Sequence, residues 1–213
     1  MKQKLIAALT VVLAGFFAAP AWSQPEAPGV ARLTDLVVRT LPVGDIFQVF
    51  LDKDPNWPLA DKVNRVSTEQ FTCLRQRLSK PGFLDQRSAA AAAFAKRYPE
   101  AVEPSISVLE GGGAEVFSAA IGAGLTEARS GNKSDYGSVA ERFSPLQMSA
   151  FVELVGDPKH KALRELIGID DVLSLGAGKE ENAARGRAKG ELIAIKLMFA
   201  AMDHCKVPLA AIR

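Results

Sequence analysis

From residue 31 onward the apolar residues recur at spacings of three and four, the period of a helix with one buried face, and no segment alternates as a half-buried strand does. The first run, Leu33, Leu36, Val37 and Leu41, predicts a helix over residues 31–40 that Pro42 stops. Ile46, Phe47, Phe50 and Leu51 repeat the pattern over 43–53. Asp54-Pro55-Asn56-Trp57-Pro58 reads as a turn, because two prolines and an asparagine leave no room for a regular element. Ser67 opens a helix through residue 78 with a capping box, its hydroxyl taking a free amide while Gln70 reaches back. Pro81 and Gly82 end it, and the next helix covers 83–98, where the alanines at 89–93 let a neighbouring helix come close. A weaker helix at 100–110 carries Pro104. Gly111-Gly112-Gly113 then reads as a flexible joint before a helix at 114–128. Polar residues 130–135 form an exposed linker, followed by short helices at 137–142, 145–155, 158–167 and 170–175.

The last helix, 180–204, begins acidic and polar and then turns apolar: Leu192, Ile193, Ile195, Leu197, Met198, Phe199 and Met202, with Lys196 alone interrupting. Apolar residues all round a helix mean burial on several sides, so 191–204 is expected to be the central strut. The fold expected is all-α, a compact multi-helix bundle over residues 24–213. Sub-modules at 24–129 and 136–213 are an alternative division. Sliding the chain by 77 residues lays Val66, Ser67 and Gln70 over Phe143, Ser144 and Gln147, then Leu74, Leu78, Pro81 and Arg87 over Phe151, Val155, Pro158 and Arg164. The segments 66–87 and 143–164 are thus two related helical hairpins that would pack around the C-terminal helix. Capping chemistry and helical spacing can produce this likeness without duplication, so both origins stand.

The segment before residue 24 has a different pattern. Lys2 and Lys4 precede an apolar run at 5–19, Pro20 breaks it, and Ala21-Trp22-Ser23 places small residues before a cut between Ser23 and Gln24. That is the layout of a cleaved secretory signal, and the run is shorter than the roughly 20 residues a spanning helix needs. The protein is expected in the periplasm or secreted, with no stable membrane insertion after cleavage. Lys2 and Lys4 also supply the whole formal excess of 26 basic over 24 acidic residues. A neutral mature chain without a basic run has no electrostatic footprint for nucleic acid or an anionic membrane surface. Cys73 and Cys205 are the only cysteines. In an oxidising compartment an isolated pair reads as a disulfide, here closing most of the domain into a loop and stabilising it by roughly 4 to 5 kcal/mol.

The second hairpin, Phe143-Ser144-Pro145-Leu146-Gln147-Met148-Ser149-Ala150-Phe151 followed by Leu154-Val155-Gly156-Asp157-Pro158, resembles the signature of an uncharacterised family of small bacterial periplasmic proteins. That pattern runs Phe, Ser or Thr, two variable residues, Glu, Leu, a later Leu, Phe-Tyr and Ser-Pro-x-Gly. The chain departs from it with Gln147 for Glu, Val155 for Tyr, Asp157 for Ser and His160 for Gly, over about 25 matched residues. The resemblance implies an exported all-helical domain; it brings no reaction, cofactor or catalytic residue.

No catalytic, cofactor or metal site is assigned. His160 and His204 lie far apart. Asp203-His204-Cys205 has no partner motif at metal spacing and reads as a helix end beside a disulfide, while His160 is expected in a solvated first turn. No Gly-x-Ser-x-Gly elbow is present, and neither Gly111-Gly112-Gly113 nor Gly122-Ala123-Gly124 has phosphate-loop spacing; the latter reads as a close helix crossing. Glu180, Glu181, Arg185, Arg187, Lys189, Glu191 and Lys196 form a solvated face, with Glu181 and Arg185 paired across one turn. Within the apolar stretch, Lys196 is expected to snorkel outward. The rival reading gathers Lys196, Arg185 and Glu191 into a candidate pocket. The leading functional expectation is non-catalytic binding of an envelope protein or a small apolar ligand. A helical-pocket enzyme acting on a small anionic metabolite, or an immunity-type inhibitor of a secreted toxin, are the alternatives. Convergence of Lys196 with guanidinium and carboxylate groups in one concavity would favour the enzyme. Mass spectrometry of protein from the periplasmic fraction is expected to find a chain beginning at Gln24 with no alkylatable thiol before reduction. A retained leader or two free thiols would contradict this.

Overall fold

Leu33, Leu36 and Val37 are at most 2 % exposed, and the helix that carries them, α1 (Pro28–Thr40), is the hub of the molecule. The computed structural model describes residues 28–131, 136–170 and 178–211. The expected leader and its cut, residues 132–135 of the expected linker and residues 171–175 of the expected short helix lie outside them. The described residues form an all-α fold of ten α-helices with short 3-10 turns between. These are α1, α2 (Val43–Lys53), α3 (Thr68–Leu78), α4 (Lys80–Arg97), α5 (Val102–Val108), α6 (Ala114–Ser130), α7 (Tyr136–Ala140), α8 (Pro145–Gly156), α9 (Lys161–Ile167) and α10 (Lys179–His204).

Around α1 pack α4, α5, α6 and α9. Its buried face includes two hydroxyls, which are satisfied locally: Thr34 donates to the Val30 carbonyl at 2.8 Å and Thr40 to Leu36 at 2.7 Å. Burying a Leu or Val side chain is worth about 2 kcal/mol, so this short helix holds much of the core. Its outer face is pinned by the ion pairs Arg32–Glu110 and Arg39–Glu115.

The expectation of a buried C-terminal strut does not hold. In α10, Leu192 is 42 %, Ile195 50 % and Phe199 45 % exposed. Ile193, Ala194, Leu197, Met198, Ala201 and Met202 pack inward as adjacent pairs repeating every four residues, so one stripe is covered and the opposite apolar stripe faces solvent. At its far end α10 is fastened to α3 by the disulfide Cys73–Cys205, whose Cα atoms are 5.7 Å apart, as the cysteine pairing predicts.

Both predicted capping boxes form. Ser67 and Ser144 accept from the amides of Gln70 and Gln147, and each glutamine accepts from the serine amide in return. The two glutamines then diverge, Gln70 donating to the Lys206 carbonyl and Gln147 packing on Gly112. Pro81 does not end α3. Ser79 does so and caps α4, whose first turn tolerates Pro81 because the missing amide has no partner there anyway.

The glycine triplet is a packed kink rather than an open joint. Residues Leu109–Gly113 lead from α5 into α6 through a break at Gly112, whose φ of +121° is not helical, and α8 packs against it. A Cβ on Gly112 would lie 2.5 Å from Gln147 Cβ, and one on Gly113 2.8 Å from the Val108 carbonyl. Gly122, by contrast, faces open space rather than a helix crossing. Gly112→Ala therefore combines left-handed strain with a backbone collision and is expected to cost about 3 kcal/mol or more in urea unfolding. Gly122→Ala, in the interior of α6, is expected to gain up to about 1 kcal/mol.

Candidate ligand groove on the last helix

Residues 189, 192, 193, 196 and 197 follow the spacing of one helical face, and that face of α10 forms one wall of a groove of about 300 Å³. The opposite wall comes from the end of α9, where Gly168 (φ +93°) turns the chain so that its backbone approaches Ile193, and Asp170 follows. Arg87 of α4 and Glu165 of α9 complete the lining. Leu192, Ile193 and Leu197 supply the apolar floor.

The polar groups differ in how far they are already satisfied. The Arg87 guanidinium stacks on Phe83 at 4.8 Å and donates to the Leu166 carbonyl at 2.9 Å. Burial pushes its pKa down, and it has no carboxylate partner among the described residues. Glu165 is held by Lys161, which keeps its carboxyl below the usual range. Lys189, Lys196 and Asp170 have no ion-pair partner among the described residues.

Of the residues singled out from sequence, Lys196 lies in the groove, exposed as a snorkelling lysine would be. Arg185 and Glu191 do not line it: Arg185 pairs with Glu181, and Glu191 is exposed. Lys189 and Arg87 were both visible in the sequence, as a helix-face charge and as a repeat position, but nothing local placed them together. The lining sets out no nucleophile and base in hydrogen-bond reach; it can hold an apolar body beside fixed positive charge.

The second polar cluster corrects an expectation. His160 is not solvated but 2 % exposed, because Pro158–His160 is a 3-10 turn that folds its last side chain under α8. Its Nε2 lies 3.1 Å from Glu153 Oε1, and Lys159 Nζ lies 2.7 Å from the same carboxylate. His204 is exposed at the end of α10, and no group of metal-ligating side chains occurs among the described residues.

The hydrogen bond from Lys159, and then that from His160, lowers the Glu153 carboxyl from 4.5. Because the folded value is the lower one, the stabilisation is complete above pH 4.5 and is lost as pH falls through the folded value. Urea unfolding between pH 3 and 6 is expected to show wild type more stable than Glu153→Gln at pH 6, with the difference shrinking below about pH 4.5. A difference independent of pH would contradict this. Comparison of the chain with protein-family models, with curated proteins and with solved structures found no match.

Proposed function

We propose that this is an exported, non-catalytic binding protein that takes a small apolar ligand in the groove on α10. The observation that carries the reading is the floor of exposed Leu192 with partly buried Ile193 and Leu197, an apolar surface set in a concavity. Apolar floors with a few convergent polar groups are the usual form of small-molecule sites. Export is supported by the leader pattern at residues 1–23, by the resemblance of the second hairpin to a periplasmic family, and by the Cys73–Cys205 bridge, since such bridges persist in oxidising compartments. No helix among the described residues is long and apolar enough to cross a membrane.

One observation favours an enzyme: Lys196 meets Arg87, Lys189, Glu165 and Asp170 in one concavity. The chemistry weighs against it. Lys196 is exposed, not the desolvated lysine that proton abstraction needs, and Glu165, with its carboxyl lowered by Lys161, is a poor proton donor at neutral pH. Binding is the better account.

Titration with the neutral fluorophore N-phenyl-1-naphthylamine is expected to raise its fluorescence in a saturable way. Leu192→Glu, at an exposed position, is expected to weaken binding about tenfold or more without changing the thermal unfolding midpoint. No saturable signal, or equal binding by the variant, would rule the groove out as an apolar site.

A further inference from the structure

The groove's charges are not in balance, and the imbalance names the ligand's other end. Three cations line it against two carboxylates, and one of the carboxylates, Glu165, is already answered by Lys161 from outside. Arg87 carries five N–H donors, of which one hydrogen bond, to the Leu166 carbonyl, is formed among the described residues. The half-buried Arg87 guanidinium has no ion-pair partner among the described residues, and a partly desolvated charge left unpaired is unfavourable. Lys189 and Lys196 stand seven residues apart on one face, about 10 Å along the axis, with Leu192 and Ile193 between them. Both ammoniums and the Arg87 guanidinium therefore border the same apolar floor.

We infer that the groove binds a single-chain amphipathic anion, with its chain on Leu192, Ile193 and Leu197 and its anionic head on the Arg87, Lys189 and Lys196 charges. This rests on the apolar-ligand reading above and adds the head group to it. At the roughly 30 Å³ that a water-sized group fills, 300 Å³ accommodates about ten non-hydrogen atoms, the size of an eight-carbon carboxylate. Charge-assisted hydrogen bonds from guanidinium and ammonium groups are the stronger kind, and they are made here beside a low-dielectric floor. A fatty carboxylate and an alkyl phosphate share this chemistry, and the two are separated by experiment.

The test is backbone amide NMR of the purified protein titrated with octanoate, octyl phosphate, octanol, octyltrimethylammonium and inorganic phosphate. Octanoate or octyl phosphate is expected to shift the amides of Gly168 and of residues 189–197 and to bind about tenfold more tightly than octanol, the tighter of the two identifying the head group. Lys189→Met with Lys196→Met is expected to remove that tenfold advantage and to leave octanol binding within about twofold. The advantage should also fall as salt is raised. Octanol that shifts the same amides as tightly as the anions would overturn this inference and leave the apolar-ligand reading standing. No shift with octanol or either anion would overturn both. Inorganic phosphate binding as well as octanoate would make the floor irrelevant and overturn the amphiphile, as would preferential binding of octyltrimethylammonium.

Discussion

A chain divided into many short helices has many helix ends, and each C-terminus leaves carbonyls that the helix itself cannot satisfy. Here arginines answer them. Arg75 of α3 donates to the carbonyl of Leu51 at the end of α2 and to those of Asp54, Pro55 and Trp57 in the turn beyond, so one guanidinium holds that turn closed. Arg164 takes the carbonyls of Leu154 and Asp157 at the end of α8, and Arg87 takes that of Leu166 at the end of α9. Gln86 does the same for Arg77 at the end of α3. A cation is favoured at this end by the helix dipole, and the planar fork can reach several carbonyls at once. Without these bonds α2, α8 and α9 would end in part-buried carbonyls with no protein partner, and the turns that follow them would lose their ties.

The residue pattern located most helices because their signals are local. Ser67 with Gln70 and Ser144 with Gln147 cap where predicted, and Pro42 separates α1 from α2. What the pattern misjudged was which helix lies at the centre. The apolar run at 192–202 points to α10, yet burial follows the arrangement of apolar residues around the axis, and α10 divides its own between two opposite stripes. The concentrated face of α1, with Leu33, Leu36 and Val37, can be enclosed from several sides. Gly112 misled for a related reason: three glycines look like freedom from inside the sequence, while the requirement for them comes from Gln147 on another helix.

The groove was readable only in part. Lys189, Leu192, Ile193, Lys196 and Leu197 share a face by spacing alone, and that much belonged to the helical period. Glu191 was a poor companion for Lys196 because a residue two positions from Lys189 or Ile193 lies about 200° round the helix. Arg185 sits a turn beyond the groove and is taken by Glu181. The far wall comes from Arg87, Glu165 and Asp170, brought there by the packing of α4 against α9, which no local signal encodes.

The Cys73–Cys205 bridge carries a consequence in time. Its two sulfurs are separated by 132 residues, and at about 5 to 20 residues per second the first leaves the ribosome roughly ten seconds before the second. With no third cysteine in the chain, no mispaired loop within one molecule can form during that interval. The only competing partner for the waiting thiol is another molecule, so the fidelity of oxidation depends on how crowded the newly made chains are rather than on any isomerase sorting their bonds.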